Sequence, residues 1–285
     1  MTINMDISIV IITFKERLDV LRECFSSLSA SMTPDTEVFV VDNGNREETV
    51  KLLTEMIPTA TYIPNPENRG FAAAVNQGMV RSTGRYVLLL NPDTELPSRT
   101  LQTMLAHMDT DTDVGIGSCT IRYPDGRLQE SIRRFPTLRD QLIVLLKLPH
   151  VFPRLLDRYM MRDVDPQISQ DVDSIMGAFM MIRRSVIDRV GLFDERYFIW
   201  FEEVDYCKMA KNAGFSIRSY GDCHVVHHKG HMFNQLATIR KQRWVRESMR
   251  KYFGKHHGRI PWLLLWALAP LFIGFAYVVA FLKRK

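Results

Sequence analysis

Tyr86-Val87-Leu88-Leu89-Leu90-Asn91-Pro92-Asp93 is the stretch on which the fold turns. The apolar run is unbroken, so it reads as a strand covered on both faces rather than an amphipathic one. Asn-Pro-Asp then stops it with turn chemistry. The same pattern recurs upstream. Ile7 to Phe14 is a β-branched apolar run, and Leu18 to Leu28 follows with helical spacing. Glu37 to Val41 is a second strand, ending in Asp42-Asn43-Gly44. Thr49 to Ile57 reads as a helix, Thr61 to Ile63 as a short strand and Phe71 to Arg81 as a helix of small residues. Strands alternating with helices predict an α/β fold with a mostly parallel central sheet. Such sheets bind ligands outside the carboxyl ends of their strands, which is where 42–44 and 91–95 fall.

The second half is less regular. Thr120 to Ser131 predicts a hairpin around Pro124-Asp125-Gly126. Leu138 to Leu156 is apolar with basic residues and two prolines, and fits either a surface-seeking amphipathic element or a core-packing helix pair. Ser174 to Ile182 is a strand candidate containing Gly177. Glu202 to Ala213 is a helix that Gly214 is placed to end.

The 285 residues carry a net charge of +5, and much of the excess lies between Arg240 and Arg259. That stretch precedes Ile260 to Leu282, which holds no charged residue. As a helix it would run about 34 Å, enough for a hydrocarbon core of about 30 Å. Pro261, Trp262 and Trp266 suit the start of a membrane-inserted helix, while Pro270 leaves open a single span or a re-entrant hairpin. The basic excess before the segment keeps the preceding domain on the cytosolic side of the inner membrane. It favours contact with anionic lipid and not nucleic acid. Cys24, Cys119, Cys207 and Cys223 are scattered, as in a reduced compartment, and no secretory signal precedes Ile9. The expected organisation is a catalytic domain over 1–239, a basic juxtamembrane segment over 240–259 and an anchor over 260–285.

Several residues can carry chemistry. Asp93 beyond a buried strand can hold a divalent cation (Mg²⁺ or Mn²⁺) under a leaving diphosphate, or simply close a turn. Asp42 can receive a nucleobase imide or ribose hydroxyls, or form an Asx-turn. Gly70 before a helix allows close backbone approach to a ligand, the helix N-terminus favours anions, and Arg69 is a diphosphate contact. Ala72 to Ala74 read as helix–sheet packing. Trp200-Phe201-Glu202-Glu203-Val204-Asp205 places carboxylates behind aromatics, as a base beside a sugar acceptor requires. Acids also favour a helix start for its dipole, and at helical spacing at most one or two of the three face one ligand. His224, His227, His228 and His231 offer ligands: one could join Asp93 on the cation, or His228, His231 and Cys223 could bind zinc.

Taken in order, these segments resemble family-2 glycosyltransferases, particularly the bacterial rhamnosyltransferase-like branch. The resemblance covers about residues 6 to 235. It rests on Val40-Val41-Asp42-Asn43, Asn68-Arg69-Gly70-Phe71 with Asn76 and Gly78, Leu90-Asn91-Pro92-Asp93, Gly177, and Gly191-Leu192-Phe193-Asp194-Glu195 running into Glu202-Glu203-Val204-Asp205. Asp125-Gly126-Arg127, Gln129, Ser131 and Arg133-Arg134-Phe135-Pro136 add to it. The resemblance implies a GT-A fold and an inverting, metal-dependent enzyme using a nucleotide-diphospho-sugar, dTDP-rhamnose foremost. The acceptor would be a glycan or polyprenyl-diphosphate-linked glycan of the bacterial cell surface, and a homo-oligomer is left open. It implies nucleotide contacts at Thr13, Asp42, Asn68, Arg69, Gly70, Asn76 and Asn91, metal ligands at Asp93 and His227, the base at Glu203 with Glu202 and Asp205 beside it, and acceptor contacts at Gly177, Trp200 and Phe201. Lys15 stands where many members have Asn, and Asn45 where many have Ser or Thr.

A sugar-phosphate nucleotidyltransferase would carry a Gly-rich loop after the first strand, and Thr13-Phe14-Lys15-Glu16-Arg17 has no glycine. The remaining alternatives are a non-catalytic membrane-bound nucleotide-sugar-binding protein and a transferase of another sugar, such as a UDP-hexose.

Overall fold

The computed structural model describes residues 5–146, 148–228 and 238–268. The first half alternates as expected: β1 (Ile7–Thr13), α1 (Leu18–Ser31), β2 (Thr36–Asp42), α2 (Glu47–Met56), β3 (Thr61–Pro64), α3 (Phe71–Arg81) and β4 (Tyr86–Leu90). There follow β5 (Thr94–Glu95), α4 (Thr100–Thr110), β6 (Val114–Arg122), β7 (Ile132–Arg133) and α5 (Leu138–Leu145). After two 3-10 turns come β8 (Gln170–Asp171), β9 (Ser174–Ile175), β10 (Phe179–Arg183), α6 (Arg184–Val190), α7 (Glu202–Asn212) and β11 (Ser216–His227). The last described helices are α8 (Thr238–His256) and α9 (Arg259–Ala267).

The main sheet runs β3-β2-β1-β4-β10-β6-β11-β5. Its nucleotide-fold half, β3 to β4, is parallel, while β10 lies antiparallel between β4 and β6. Strand alternation sends Ile7, Ile9 and Ile11 to one face, where Leu21 and Phe25 of α1 and Met104 and Met108 of α4 cover them. Val10 and Ile12 go to the other, under Ala72, Ala74 and Val75 of α3 and Tyr206 of α7. The small residues of α3 serve this close packing: a Cβ on Gly78 would stand 2.5 Å from Cγ1 of Val10.

Two elements differ from expectation. Ser174 to Ile182 is not one strand. It breaks at Met176–Ala178 into β9, which pairs with β7 in a small second sheet, and β10 of the main sheet. Nor is Thr120 to Ser131 a full hairpin. The turn exists, with Gly126 at φ 85, but its arms are joined only over 121–129, by the Arg122–Leu128 bridge and by Tyr123 N–H to the Arg127 carbonyl and Gln129 N–H to the Ile121 carbonyl, both at 2.8 Å.

The basic stretch over 240–259 packs on the α/β domain rather than standing off it. Met249, Tyr252 and Phe253 of α8 share a third core with Tyr197 and Val204, joined by Leu145 of α5 and Leu265 of α9. Among the described residues no helix is long and apolar enough to cross a membrane. The expected anchor over 260–282 starts in α9, and its remainder, from 269 onward, lies outside the described residues.

Candidate active site

Parallel pairing puts the carboxyl ends of β1, β2 and β4 side by side, with Thr13 opposite Asp42 and Ile11 opposite Leu90. Two later strands bring the rest. The start of β10 lies against the end of β4, and Asn91 N–H donates to the Ala178 carbonyl at 3.0 Å, which sets Gly177 beside the Asn91–Asp93 turn. The end of β11 pairs with β5, so His227 stands opposite Thr94. His228 N–H then donates to the Asp93 carbonyl at 2.9 Å.

Asp93 Oδ1 is 3.2 Å from His227 Nε2, and Asn91 Nδ2 is 3.4 Å from the same nitrogen. Both Asp93 and His227 side chains are largely buried. Gln129 orients the imidazole. Its amide nitrogen donates to the His227 carbonyl at 2.6 Å, which turns its oxygen to His227 Nδ1 at 3.0 Å. Nδ1 is therefore committed to Gln129, and Nε2 is the ring nitrogen that faces the Asp93 carboxylate, as a cation ligand must. A carboxylate oxygen beside an oriented imidazole nitrogen is a donor pair that fits a divalent cation. The alternative histidine–cysteine zinc site does not form among the described residues. His228 turns to Glu95, with Glu23 beyond it at 3.8 Å, while His231 lies outside them.

Glu203 sits in the first turn of α7, half-buried. A Cβ added to Gly177 would lie 3.9 Å from Glu203 Cβ and 3.8 Å from the Phe71 ring, so these three form one wall. One oxygen of Glu203 and one of Glu202 are buried without a hydrogen-bond partner. Burial raises the Glu203 carboxyl, and the Arg133 guanidinium offsets part of that. Burial also raises Glu202, with the neighbouring Glu203 charge adding to it. Phe71 passes from this wall into a cleft of about 480 Å³, lined also by Phe14, Asn43, Asn68, Gly70 and Trp244.

Several of the expected site residues make contacts within the protein. Asp42 is fully buried, and its carboxylate accepts from Gly44 N–H (2.7 Å), Arg46 N–H (2.9 Å) and Tyr62 Oη (2.8 Å). These bonds form the Asx-turn that shapes the loop. Asn76 gives Nδ2 to the Phe193 carbonyl (2.9 Å) and Glu195 (3.0 Å) and accepts Phe193 N–H (3.0 Å), so it clamps the 191–195 loop. The close approach that Gly70 permits is to Phe198: at φ 84 a Cβ would be 2.6 Å from the Phe198 carbonyl, which takes Phe71 N–H. Asp205 faces away from the cleft, bound by Lys255 at 2.7 Å and His256 at 2.6 Å, and fastens α7 to α8. Phe201 tilts onto Tyr252 at 5.5 Å and packs against the third core. Trp200 and Phe201 hold φ 65 and 70, a strained bend for aromatic residues that starts α7 at Glu202. Asn68 caps its own turn through Gly70 N–H at 2.9 Å and lines the cleft. Arg69 is exposed at its rim.

Glu16 and the α8 residues at the cleft are absent from the sequence-predicted site, which does include Thr13. Thr13 Oγ1 and Glu16 Oε1 are buried without hydrogen-bond partners at the strand ends. Burial, with the Asp93 and Asp42 charges adding, pushes Glu16 up to about 7. A carboxylate just past a strand end was the available signal. Arg240, Arg243 and Trp244 of α8 line the cleft, although their run reads as lipid-facing. Lys15 and Asn45 both hold left-handed backbone, φ 61 and 49. Asn adopts that region readily, so Asn45 suits its turn while Lys15 is strained where many family members carry Asn.

Comparison with known proteins agrees with this geometry. The model for "Glycosyl transferase family 2" matches residues 8–191. An N-acetylglucosaminyl-diphospho-decaprenol L-rhamnosyltransferase of Mycobacterium tuberculosis is 28% identical over 225 residues, covering 74% of this chain and 72% of that protein. Rhamnosyltransferase WbbL of Escherichia coli is 28% identical over 173 residues, covering 60% and 62%. The mannosyltransferase PcManGT of Pyrobaculum calidifontis, solved with GDP-Man and Mn²⁺, superposes with a TM-score of 0.61 at 18% identity, covering 97% of this chain and 74% of that one. Strand order, site placement and these relatives agree: the chain belongs to glycosyl transferase family 2 and is a glycosyltransferase.

Proposed function

We propose that the chain is an inverting, divalent-metal-dependent transferase that moves rhamnose from dTDP-rhamnose to a lipid-linked glycan acceptor. Attached to the inner membrane, with its site in the cytosol, it would serve cell-surface polysaccharide synthesis. One observation carries the reading. Asp93 and His227 meet at the end of β4, and Gly177 links that end, through Asn91 and Ala178, to Glu203 and the aromatic cleft. The named activities of the mycobacterial and E. coli relatives favour rhamnose. The apolar run to Leu282 favours attachment.

Asp93 and His227 would hold the cation, with Gln129 orienting the His227 ring. When bound, the cation supplies the positive charge that stabilises the departing diphosphate. The cleft between Phe14, Phe71 and Trp244 encloses the donor. Glu203 takes the proton from the acceptor hydroxyl as that oxygen attacks the sugar carbon from the face opposite the leaving group. Gly177 leaves the space beside Glu203 open for the acceptor.

A donor panel tests the sugar. Nucleoside diphosphate release with acceptor should be fastest from dTDP-rhamnose, by about tenfold or more over UDP-hexoses, as expected where polar groups read the sugar. Release from a UDP-hexose with none from dTDP-rhamnose refutes the donor. No release from any donor favours the non-catalytic reading.

A further inference from the structure

Large exposed apolar side chains concentrate in two segments. Val151, Phe152 and Leu155 stand out from the 3-10 turns over Leu148–His150 and Pro153–Leu156 and their link. Ile260, Leu263 and Trp266 stand out from α9. Val151 is 70% and Ile260 74% exposed. Leu146 adjoins the first segment, while Leu18, Val80, Ile168 and Leu192 are single and far apart in the chain, which soluble surfaces tolerate. A concentration of this kind marks an interaction face.

The two segments share a base. Leu145, just before the turns, and Leu265 of α9 are buried in the same core as Tyr252, Phe253 and Val204. That core reaches the first turn of α7, where Val204 follows Glu203. The charge pattern selects the occupant. From Gln141 to Leu156, and from Ser248 to the end of the chain, there is no Asp or Glu. Arg154 and Arg259, both exposed, lie within these segments. A protein partner would ordinarily meet mixed charge, whereas apolar side chains among unopposed arginines match an anionic lipid surface.

We infer that the 148–156 turns and α9 form one face that rests in the headgroup layer of an anionic bilayer, beside the active site. Short 3-10 turns leave backbone groups unpaired, which confines them to the interface and bars the hydrocarbon core. Phe152 and Trp266 are residue types that settle at that depth. The face deepens the membrane attachment proposed above and does not depend on residues 269–285. It would hold the wall of Glu203 and Gly177 at the height where a lipid-linked acceptor presents its sugar.

The test uses the full chain with Phe152→Cys carrying an environment-sensitive dye. The native cysteines Cys24, Cys119, Cys207 and Cys223 are buried, so labelling is selective. With vesicles of phosphatidylcholine and phosphatidylglycerol, emission at position 152 should rise and shift to shorter wavelength, and spin-labelled lipid should quench it. The same dye on Glu48→Cys, exposed on α2, should not respond. Unchanged emission at 152 in protein that co-sediments with the vesicles overturns this face while sparing the membrane attachment. Failure to co-sediment overturns both. An equal shift with phosphatidylcholine alone overturns the anionic preference.

Discussion

Asp93→Ala is expected to lower nucleoside diphosphate release by about a thousandfold or more, the effect of losing several kcal/mol of leaving-group stabilisation. The fold should survive. Asp93 contributes its backbone carbonyl to His228 N–H, which the substitution leaves in place, and its carboxylate faces His227 rather than the core. Melting temperature near that of the wild type, together with lost turnover, is the expected pair of readings. Turnover close to wild type would remove Asp93 from the cation. The loss should also resist added Mn²⁺, since alanine offers no oxygen ligand.

Glu203→Gln keeps the volume of the side chain and removes its capacity to accept a proton. General-base loss lowers rate by about 10² to 10⁴. Donor binding should be retained, because Glu203 stands with Gly177 beyond Phe71, on the acceptor side. The pH profile carries an independent signature. Burial raises the Glu203 carboxyl above its ordinary 4.5, and a base works only when deprotonated. The wild-type rate should therefore fall on acidification at a pH above the usual glutamate range, and the residual rate of Glu203→Gln should lose that limb. Asp205→Asn should keep turnover per folded molecule, since its carboxylate serves Lys255 and His256. An active Glu203→Gln with an inactive Asp205→Asn would assign the base to the wrong carboxylate.

The first half of the fold was legible because its signals are local. Ile7 to Thr13 and Tyr86 to Leu90 are buried along their whole length, and continuous apolar runs show that directly. The second half depends on pairings remote in sequence. Nothing local in Ser174 to Ile182 says that Gly177 lies where the chain passes between two sheets. The same limit applies to the site. Asp93 and His227 belong to a recognisable pattern, and the antiparallel pairing of β5 with β11 brings them together. Asp42 and Asn76 belong to the same pattern, yet their hydrogen bonds go to backbone and neighbouring side chains. A motif therefore holds residues whose polar atoms are spent on shaping the loop beside residues that converge on one another, and only the partners of each polar atom separate them. The α8 helix shows the converse. Its basic run reads as lipid-facing by composition, but Tyr252 and Phe253 bury its other side and set Trp244 against Phe198 at the cleft.

If Asp93 and His227 hold a cation on which transfer depends, the initial rate of nucleoside diphosphate release from dTDP-rhamnose, with the full chain and a lipid-linked glycan acceptor, should fall to background on chelation. Mg²⁺ or Mn²⁺ should restore it in the wild type but not in Asp93→Ala. Release that continues unchanged in the chelated wild-type enzyme would rule out that dependence.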